Sequence, residues 1–508
     1  MRIEYVGHAS LRVETGDARL LTDPWWEGPA YCGQWALFPR PVAAPGAFDD
    51  TDAVLLTHGH EDHLHPPTLA TLPRSARVFY PYGWYGATRE FLGSLGFSGV
   101  VEASTWRRHR VAKGTWVTYV ANNLDSIVVV ESGGRVLVNV NDALHAHHPR
   151  VIDLFVRALA RRWPRIDALF CGFGGASYFP NCYHVEGKDD AEVARLREEL
   201  FVHQFCRIVD GLRPAVAVPF AADFVLPDPA KHWIHEARFP RERIAAHYRE
   251  HFRPDGGGPR IIPMYPGDVL RDGELLPLSP YRERLVDGRL ELPTAEADAL
   301  AAAYRERVRP LAPDDADRLA AELEANIRRR AALLDAGTRE RLRFSVRVRD
   351  VEEEPCFDIS FPGGEPAVRR TRAPAEDARL VVETRSEVLR SGFMSEWGGD
   401  AMVVGYGCDL YVRDPSILDE GLDTACVQLL TNHPAASRHM RSEPLRGLRF
   451  LAQNPLTLRW AAVRVRRGGR PDAMGDRPLW LSRSKCEVCR ACDLPLLDAE
   501  LAEGMGGH

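Results

Sequence analysis

The chain has 508 residues, 45% apolar and 27% charged, which is the usage of a folded globular protein with room for three or four units of about 150 residues. Its formal net charge of −6, from 65 basic and 71 acidic residues, gives no general attraction to nucleic acid or to an anionic membrane. No apolar run approaches the ~18 residues of a membrane span and Met1–Ser10 reads as a strand rather than a leader, so a soluble, cytoplasmic protein is the expectation.

Residues 1–280 alternate short β-type runs with Gly/Pro/Asp turns. Ile3–Val6, Leu11–Glu14 and Arg19–Thr22 read as a meander, and Ala53–Thr57 as a buried strand that delivers a His-rich loop. Trp116–Val120, Ile127–Glu131 and Arg135–Val140 read as strands, with Gly133-Gly134 turning between the last two. Val193, Leu196, Leu200 and Ile208 share one helical face, so a helix is predicted over Ala191–Val209; Gly211 and Pro214 stop it, and Ala215–Pro219 resumes as a strand.

Residues 281–340 change character. Leu319, Leu323 and Ile327 recur every four residues in an Ala/Leu/Arg/Glu-rich stretch, which predicts an amphipathic connector helix over Asp314–Leu334. Residues 341–470 return to β-type runs (Arg343–Val348, Cys356–Phe361, Arg379–Glu383, Leu410–Val412) and read as a smaller α+β unit. Residues 471–508 read as a tail.

Ten Cys are too few for a disulfide scaffold in a chain of this length. Cys32, Cys171, Cys182, Cys206, Cys356, Cys408 and Cys426 are scattered and read as reduced core residues or surface thiols. Cys486, Cys489 and Cys492 form Cys-x2-Cys-x2-Cys, a spacing that lets thiolates converge on one centre. An iron–sulfur or zinc site completed by a distant ligand, a thiol–disulfide or metal-handling tail, and incidental cysteines are the readings open there.

The strongest chemical signal is Thr57-His58-Gly59-His60-Glu61-Asp62-His63. Three imidazoles and a carboxylate within six residues cannot share one helical face, so a loop must fan them out. In that order His58 and His60 serve one metal, and Asp62 and His63 its neighbour. Neutral imidazole with carboxylate suits zinc, iron, manganese or cobalt better than calcium or magnesium.

With Gly7-His8-Ala9-Ser10, Thr22-Asp23-Pro24 and Asn139-Val140-Asn141-Asp142, this motif resembles the metallo-β-lactamase superfamily over residues 1–280. The resemblance implies an αββα sandwich of two mixed sheets with metals at one edge, and Asp142 as the bridge between two ions. That family supplies a third His to the first metal, where this chain reads Tyr119-Val120-Ala121-Asn122-Asn123-Leu124-Asp125. It supplies a last His to the second metal, where this chain reads Pro219-Phe220-Ala221-Ala222. What remains is His58, His60 and Asp142 around one ion, and Asp62, His63 and Asp142 around the other. A two-His, one-carboxylate set with open positions suits non-haem iron oxygen chemistry. His8, His145, His147, His148 and His232 are further candidate ligands or ligand-holding residues, with His184 and His235 also available.

Several blocks resemble the CMP-N-acetylneuraminate hydroxylase family more narrowly: Asp23–Ala30 with Trp35, His58–Leu64 with Pro67-Thr68-Leu69, Phe173–Ser177 through Pro180, Pro219-Phe220-Ala221 with Phe224, Pro266-Gly267-Asp268, and residues 387–414 running into Arg413-Asp414-Pro415. That resemblance implies an iron-dependent monooxygenase drawing electrons from outside. The family's Rieske domain has no counterpart here, since no Cys-x-His occurs with a Cys-x-x-His; the tail cysteines are the candidate substitute.

The expectation is therefore a dinuclear iron oxygenase, a hydroxylase or N-oxygenase, acting on a small polar metabolite with O2 and an electron-donor protein. Asp62 and Asp142 would be its catalytic carboxylates. The alternative is a dinuclear zinc hydrolase of a lactone, amide or phosphodiester, and a third reading is a metal-binding protein with a degraded site. Trp25, Trp26, Trp35, Phe38, Tyr80, Tyr82, Trp84 and Tyr85 read as core or loop anchors, a subset of which would wall a pocket.

Overall fold

The structure, a computed structural model, describes residues 1–456 apart from 44–45, 84–86, 123–124, 148, 175–180, 188, 309–312, 353, 395–397 and 433–443. The tail cysteines, His148, Trp84 and Tyr85 lie outside the described residues.

Two sheets face each other. The first has eight strands, in the order Glu274–Leu276, Val269–Arg271, Arg2–Gly7, Ser10–Glu14, Arg19–Thr22, Ala53–Leu55, Arg77–Pro81, Val100–Ala103. The second has seven, in the order Arg260–Ile261, Val216–Phe220, Ala168–Gly172, Arg135–Asn141, Asp125–Ser132, Thr115–Asn122, Arg108–Arg110. Both are mixed: in the second, the hairpin Asp125–Ser132/Arg135–Asn141 is antiparallel, while Arg135–Asn141, Ala168–Gly172 and Val216–Phe220 run parallel. In the first, Ser10–Glu14 pairs antiparallel with Arg19–Thr22, which pairs parallel with Ala53–Leu55.

Period-two burial explains the layering. Along one strand Val128 and Val130 enter the core between the sheets, with Tyr5, Leu11, Leu55 and Phe79 opposite them. Ile127 and Val129 point the other way, under helices Pro149–Arg162 and Asp190–Leu212. The part of a central strand that is buried on both faces must be apolar, as Ile127–Val130 is; each of those side chains contributes roughly 1.5–3 kcal/mol. Across the first sheet Leu21, Val54 and Val78 bury outward against Leu69, Leu72, Leu92 and Phe97. Four layers result, helices outside and two sheets within, which is the metallo-β-lactamase sandwich expected above.

The predicted helices form as Asp190–Leu212 and Pro313–Ala331. In the first, Asp189 caps the N-terminus through Ala191 and Glu192 N–H, and Arg213 ends it in a left-handed conformation before Pro214. In the second, Leu319, Leu323 and Ile327 are fully buried against the third sheet's core.

That third sheet has the order Tyr183–Val185, Cys408–Val412, Leu380–Thr384, Phe344–Val348, Cys356–Ser360, Ala367–Thr371. Its edge strand Tyr183–Val185 comes from the first half of the chain and pairs parallel with Cys408–Val412. Trp25, Tyr31 and Trp35 join the same apolar cluster, so the C-terminal sheet packs directly behind the loops that follow the first strands. Among the described residues no helix is long and apolar enough to cross a membrane.

Candidate metal centre

The His-rich loop leaves the end of Ala53–Leu55 at the edge of the sandwich, where the strand Arg135–Asn141 also ends. Ligand atoms gather there in three overlapping groups, each lying within 4.8 Å: His58, His60 and Asp125; His58, His63 and Asp142; His8, Asp62 and His63. His58 and His63 each belong to two groups, and the group holding Asp142 shares a member with each of the others, so the set spans two adjacent positions. The structure brings His58, His60, Asp62, His63 and Asp142 together, but His60 groups with Asp125 rather than with Asp142.

Two further members join them: Asp125, which the sequence did not assign as a ligand, and His8, which it offered as a further candidate. Asp125 occupies the stretch where the family's third His was sought, with Oδ1 3.8 Å from His58 Nε2. His8 lies against the second position, its Nε2 2.8 Å from Asp62 Oδ2. The later loop at Pro219–Ala222 holds no imidazole, yet Ala221 N–H donates to the His8 carbonyl at 3.0 Å. Asp223 Oδ2 accepts from His8 N–H at 3.2 Å and from the Tyr5 hydroxyl, and Arg241 clamps its other oxygen. The segment that lacks a His thus positions the one supplied by the first strand.

The ligands are held by buried neighbours. Asp23 is fully buried; its Oδ1 accepts from Thr57 N–H at 2.8 Å, and its Oδ2 from Thr57 Oγ1 at 2.7 Å and Asn141 Nδ2 at 2.5 Å. The same Oδ2 lies 3.2 Å from His63 Nδ1, which leaves His63 Nε2 to face the ligand position. The Tyr31 hydroxyl donates to Asp62 Oδ1, so Oδ2 is the oxygen turned to the group. His8, Asp23 and Asn141 adopt φ of 49°, 35° and 48°, a left-handed conformation that His, Asp and Asn tolerate better than most residues and that clusters at functional sites.

Electrostatics separates the imidazoles. Burial, reinforced by His63 and His60, holds His58 well below its ordinary value, so it is neutral with a lone pair to give. Burial would also lower His63, but Asp62, Asp142 and Asp23 surround it and raise it well above its ordinary value. Asp62 and Asp142 stay low in spite of burial because His63 faces them. Asp125 is pushed up to about 6, chiefly by burial.

A metal fits this arrangement. His63 Nε2 is buried 3.2 Å from Asp62 Oδ2 and 3.4 Å from Asp142 Oδ2, yet completes no hydrogen bond with either. Three carboxylates and four imidazoles are a donor set for two divalent transition-metal ions, whose binding would displace the His63 proton.

The other sequence candidates fall elsewhere. His145 is buried next to Asp142, its Nε2 2.8 Å from the Gly174 carbonyl, and burial lowers its pKa. Gly172 makes room for both residues: a Cβ there would sit 2.6 Å from His145 Cε1 and 3.0 Å from Asp142 Oδ1. His147 and His232 join none of the three ligand groups. His184 pairs with Asp190 and Asp409, and His235 accepts from Leu226 N–H. Of the aromatics, Trp25, Trp35, Phe38, Tyr80 and Tyr82 are buried anchors; Trp25 meets the His8 ring edge at 5.1 Å and Trp35 stacks on Phe224 at 3.6 Å.

Layered sheets with His/Asp ligand groups at one edge define the metallo-β-lactamase class. Residues 2–151 match the profile of the beta-lactamase superfamily domain. Among characterised sequences it is similar to the cytidine monophosphate-N-acetylneuraminic acid hydroxylase of Danio rerio, 27% identical over 46% of this chain and 40% of that protein. The inactive Homo sapiens counterpart is 28% identical over 46% of this chain and 48% of its own. This chain therefore spans less than half the length of those relatives. Solved structures similar to part of the chain include CmlA, a diiron beta-hydroxylase from Streptomyces venezuelae, with 18% identity and a TM-score of 0.36 over 53% of this chain and 54% of that one. They also include Igni18, a metallo hydrolase from Ignicoccus hospitalis, with 15% identity and a TM-score of 0.34 over 53% and 97%.

Proposed function

We propose that this chain is a dinuclear non-haem iron oxygenase that hydroxylates, or N-oxygenates, a small polar metabolite with O2 and external electrons. The observation that carries this reading is Asp125: a carboxylate stands beside His58 and His60 where a third imidazole would favour a zinc hydrolase. Two His and one carboxylate are the donor set of oxygen-activating iron sites. The likeness to hydroxylases in sequence supports the same reading.

His58, His60 and Asp125 would hold one ion, His8, Asp62 and His63 the other, with Asp142 between them. When bound, reduced iron would supply the electrons that activate O2. Asp23 fixes the His63 tautomer by accepting from Nδ1, and Tyr31 fixes the Asp62 carboxylate by donating to Oδ1. Trp25 and Trp35, packed against His8, close the inner side of the centre to water. An electron-donor protein is the proposed partner, and Cys486, Cys489 and Cys492 are the proposed entry point if they hold an iron–sulfur site; a zinc site there would be structural and carry no electrons.

Anaerobic purification with metal analysis, and absorption spectra before and after O2, tests the reading. Two equivalents of iron that persist when the three tail cysteines are replaced, and an O2-dependent spectral change, are expected. Two equivalents of zinc with unchanged spectra would overturn it and favour a hydrolase. Replacing the three tail cysteines together should lower iron content if they hold a cluster.

A further inference from the structure

Away from the candidate centre, three more imidazoles meet between two helices. Helix Asp190–Leu212 carries His203, and helix Ile244–Phe252 carries His247 and His251 one turn apart on the same face. Their ring centroids lie 4.2 Å (His247–His251), 5.7 Å (His203–His247) and 5.9 Å (His203–His251) apart. Phe252 and Phe239 wall the cluster, at 4.8 Å from His203 and 5.6 Å from His247. His203 is 3% exposed and His247 7%, while His251 is half-buried and opens the cluster to solvent.

Unmet hydrogen bonding marks these rings out. Both nitrogens of His203 and Nε2 of His247 are buried and complete no hydrogen bond. Each such atom is destabilising unless something binds it. A proton is a poor candidate, because burial lowers His203 to about 3 and His247 to about 4. The neighbouring cation Arg207 is already held by Asp153 at 2.7 Å. What the rings offer is neutral nitrogen lone pairs.

Spacing agrees with a shared ion. A zinc-bound imidazole nitrogen sits about 2.0–2.1 Å from the metal, which places the ring centre about 3.2 Å away and tetrahedral neighbours about 5 Å apart, centre to centre. The three observed separations bracket that value. As placed, the three rings do not bring ligand nitrogens all within 4.8 Å of one another, so binding would require rotation about the ring torsion χ2, which is broad and soft in His.

We propose that His203, His247 and His251 form a further metal site, taking one divalent cation of the zinc, copper or nickel class and clamping helix Ile244–Phe252 to helix Asp190–Leu212. Imidazole-only sets favour those ions over magnesium or calcium. The site is independent of the dinuclear centre and stands or falls without it.

Cobalt(II) titration of the metal-stripped full chain, with metal counted after desalting, tests the assignment. In a background carrying Cys486→Ser, Cys489→Ser and Cys492→Ser, used for every variant here so that the tail takes no metal, three equivalents are expected, and two when His251→Gln is added, a half-exposed position at which circular dichroism should be unchanged. In a His58→Ala/His63→Ala chain, which lacks the dinuclear centre, one equivalent with tetrahedral cobalt absorption should persist and vanish when His251→Gln is added. Zinc should raise the melting temperature of the His58→Ala/His63→Ala chain and not of the same chain with His251→Gln. Equal stoichiometry with and without His251, or no zinc-dependent shift in melting temperature, would overturn the proposal and leave the cluster as packed, water-satisfied rings.

Discussion

At the sandwich edge His63 Nε2 is buried between Asp62 and Asp142 and completes no hydrogen bond. At the third sheet, Asp409 gives Oδ1 to Lys231 and to His184 at 2.9 Å, and Oδ2 to Arg349 at 3.1 Å. Both regions bury several charges, but they balance them differently. Around Asp409 the protein supplies every partner itself: His184 reaches on to Asp190 at 2.5 Å, Arg349 to Glu383, and Arg347 to Glu383 at 2.7 Å. A network closed in this way joins Tyr183–Val185 to the C-terminal strands and has no need of a ligand. The edge cluster is left with donor atoms that converge on each other and stay unmatched. Burial of charge alone therefore does not tell the two regions apart; unmatched buried donor atoms do.

Breaking each region separates the two roles. His63→Ala removes a residue shared by two ligand groups, so metal binding should fall by more than the ~10–100-fold that loss of an outer hydrogen-bond partner causes. Turnover should be abolished while the fold persists, read by metal analysis beside circular dichroism. Asp409→Ala should do the reverse. It strands Lys231, buried with a side-chain exposure of 7%, and should cost about 3–5 kcal/mol in denaturant unfolding while metal per folded molecule is unchanged. Adding Lys231→Met should return much of that loss, since an apolar pair of similar volume does not need the ion pair's desolvation. A stability loss confined to the edge variant would sink the distinction.

A subtler cut lies one bond behind the metal ligands. Asp23→Asn keeps the size of the side chain but turns an obligatory acceptor toward His63 Nδ1 into a group that can also donate. The His63 tautomer is then no longer fixed, and metal affinity should fall by about 10–100-fold. Competition with a chelator measures it. An unchanged affinity would mean that Asn141, 3.1 Å from the same nitrogen, orients the ring alone.

How much of this was legible follows from the range of each signal. The sandwich strands are readable because residues two apart share a face, and Ile127–Glu131 or Arg135–Val140 are long enough to display it. The core helix Asp190–Leu212 is readable for the same reason at a period of 3.6. Tyr183–Val185 is not: three residues carry no period, and its partner lies more than two hundred positions away. At the site, His58, His60, Asp62 and His63 are legible because three imidazoles and a carboxylate crowded on one loop make a ligand set by themselves. Asp125 is a single residue of ordinary type that only the fold carries to the loop, and His8, a candidate from its Gly-His-Ala-Ser step, owes its place beside Asp62 to the fold as well. Asp23 stands in a recognisable Thr-Asp-Pro step, but its role as the acceptor for His63 depends on a contact across 40 positions. His203 is equally silent until helix Ile244–Phe252 packs beside it.

The smallest expected effect is a pH dependence that belongs to the paired region alone. His184 is pushed up from its ordinary 6.5 to about 9: burial opposes the charge, and Asp190 and Asp409 outweigh it. A folded-state value above the unfolded one means that the folded chain binds the proton more tightly. The stabilisation is therefore complete below about pH 6.5 and is lost as pH rises through about 9. Asp409 has the opposite sign: Lys231 and His184 hold it low against burial, so its contribution is present above the ordinary carboxylate range and is lost on acidification. Together they give the third-sheet junction greatest strength between the carboxylate range and about pH 6.5. His184→Gln should flatten the decline of melting temperature between pH 6.5 and 9 while leaving the acid limb set by Asp409 in place. A parallel decline in the variant and the unaltered chain would assign that pH response to another group and remove His184 from the network's energetics.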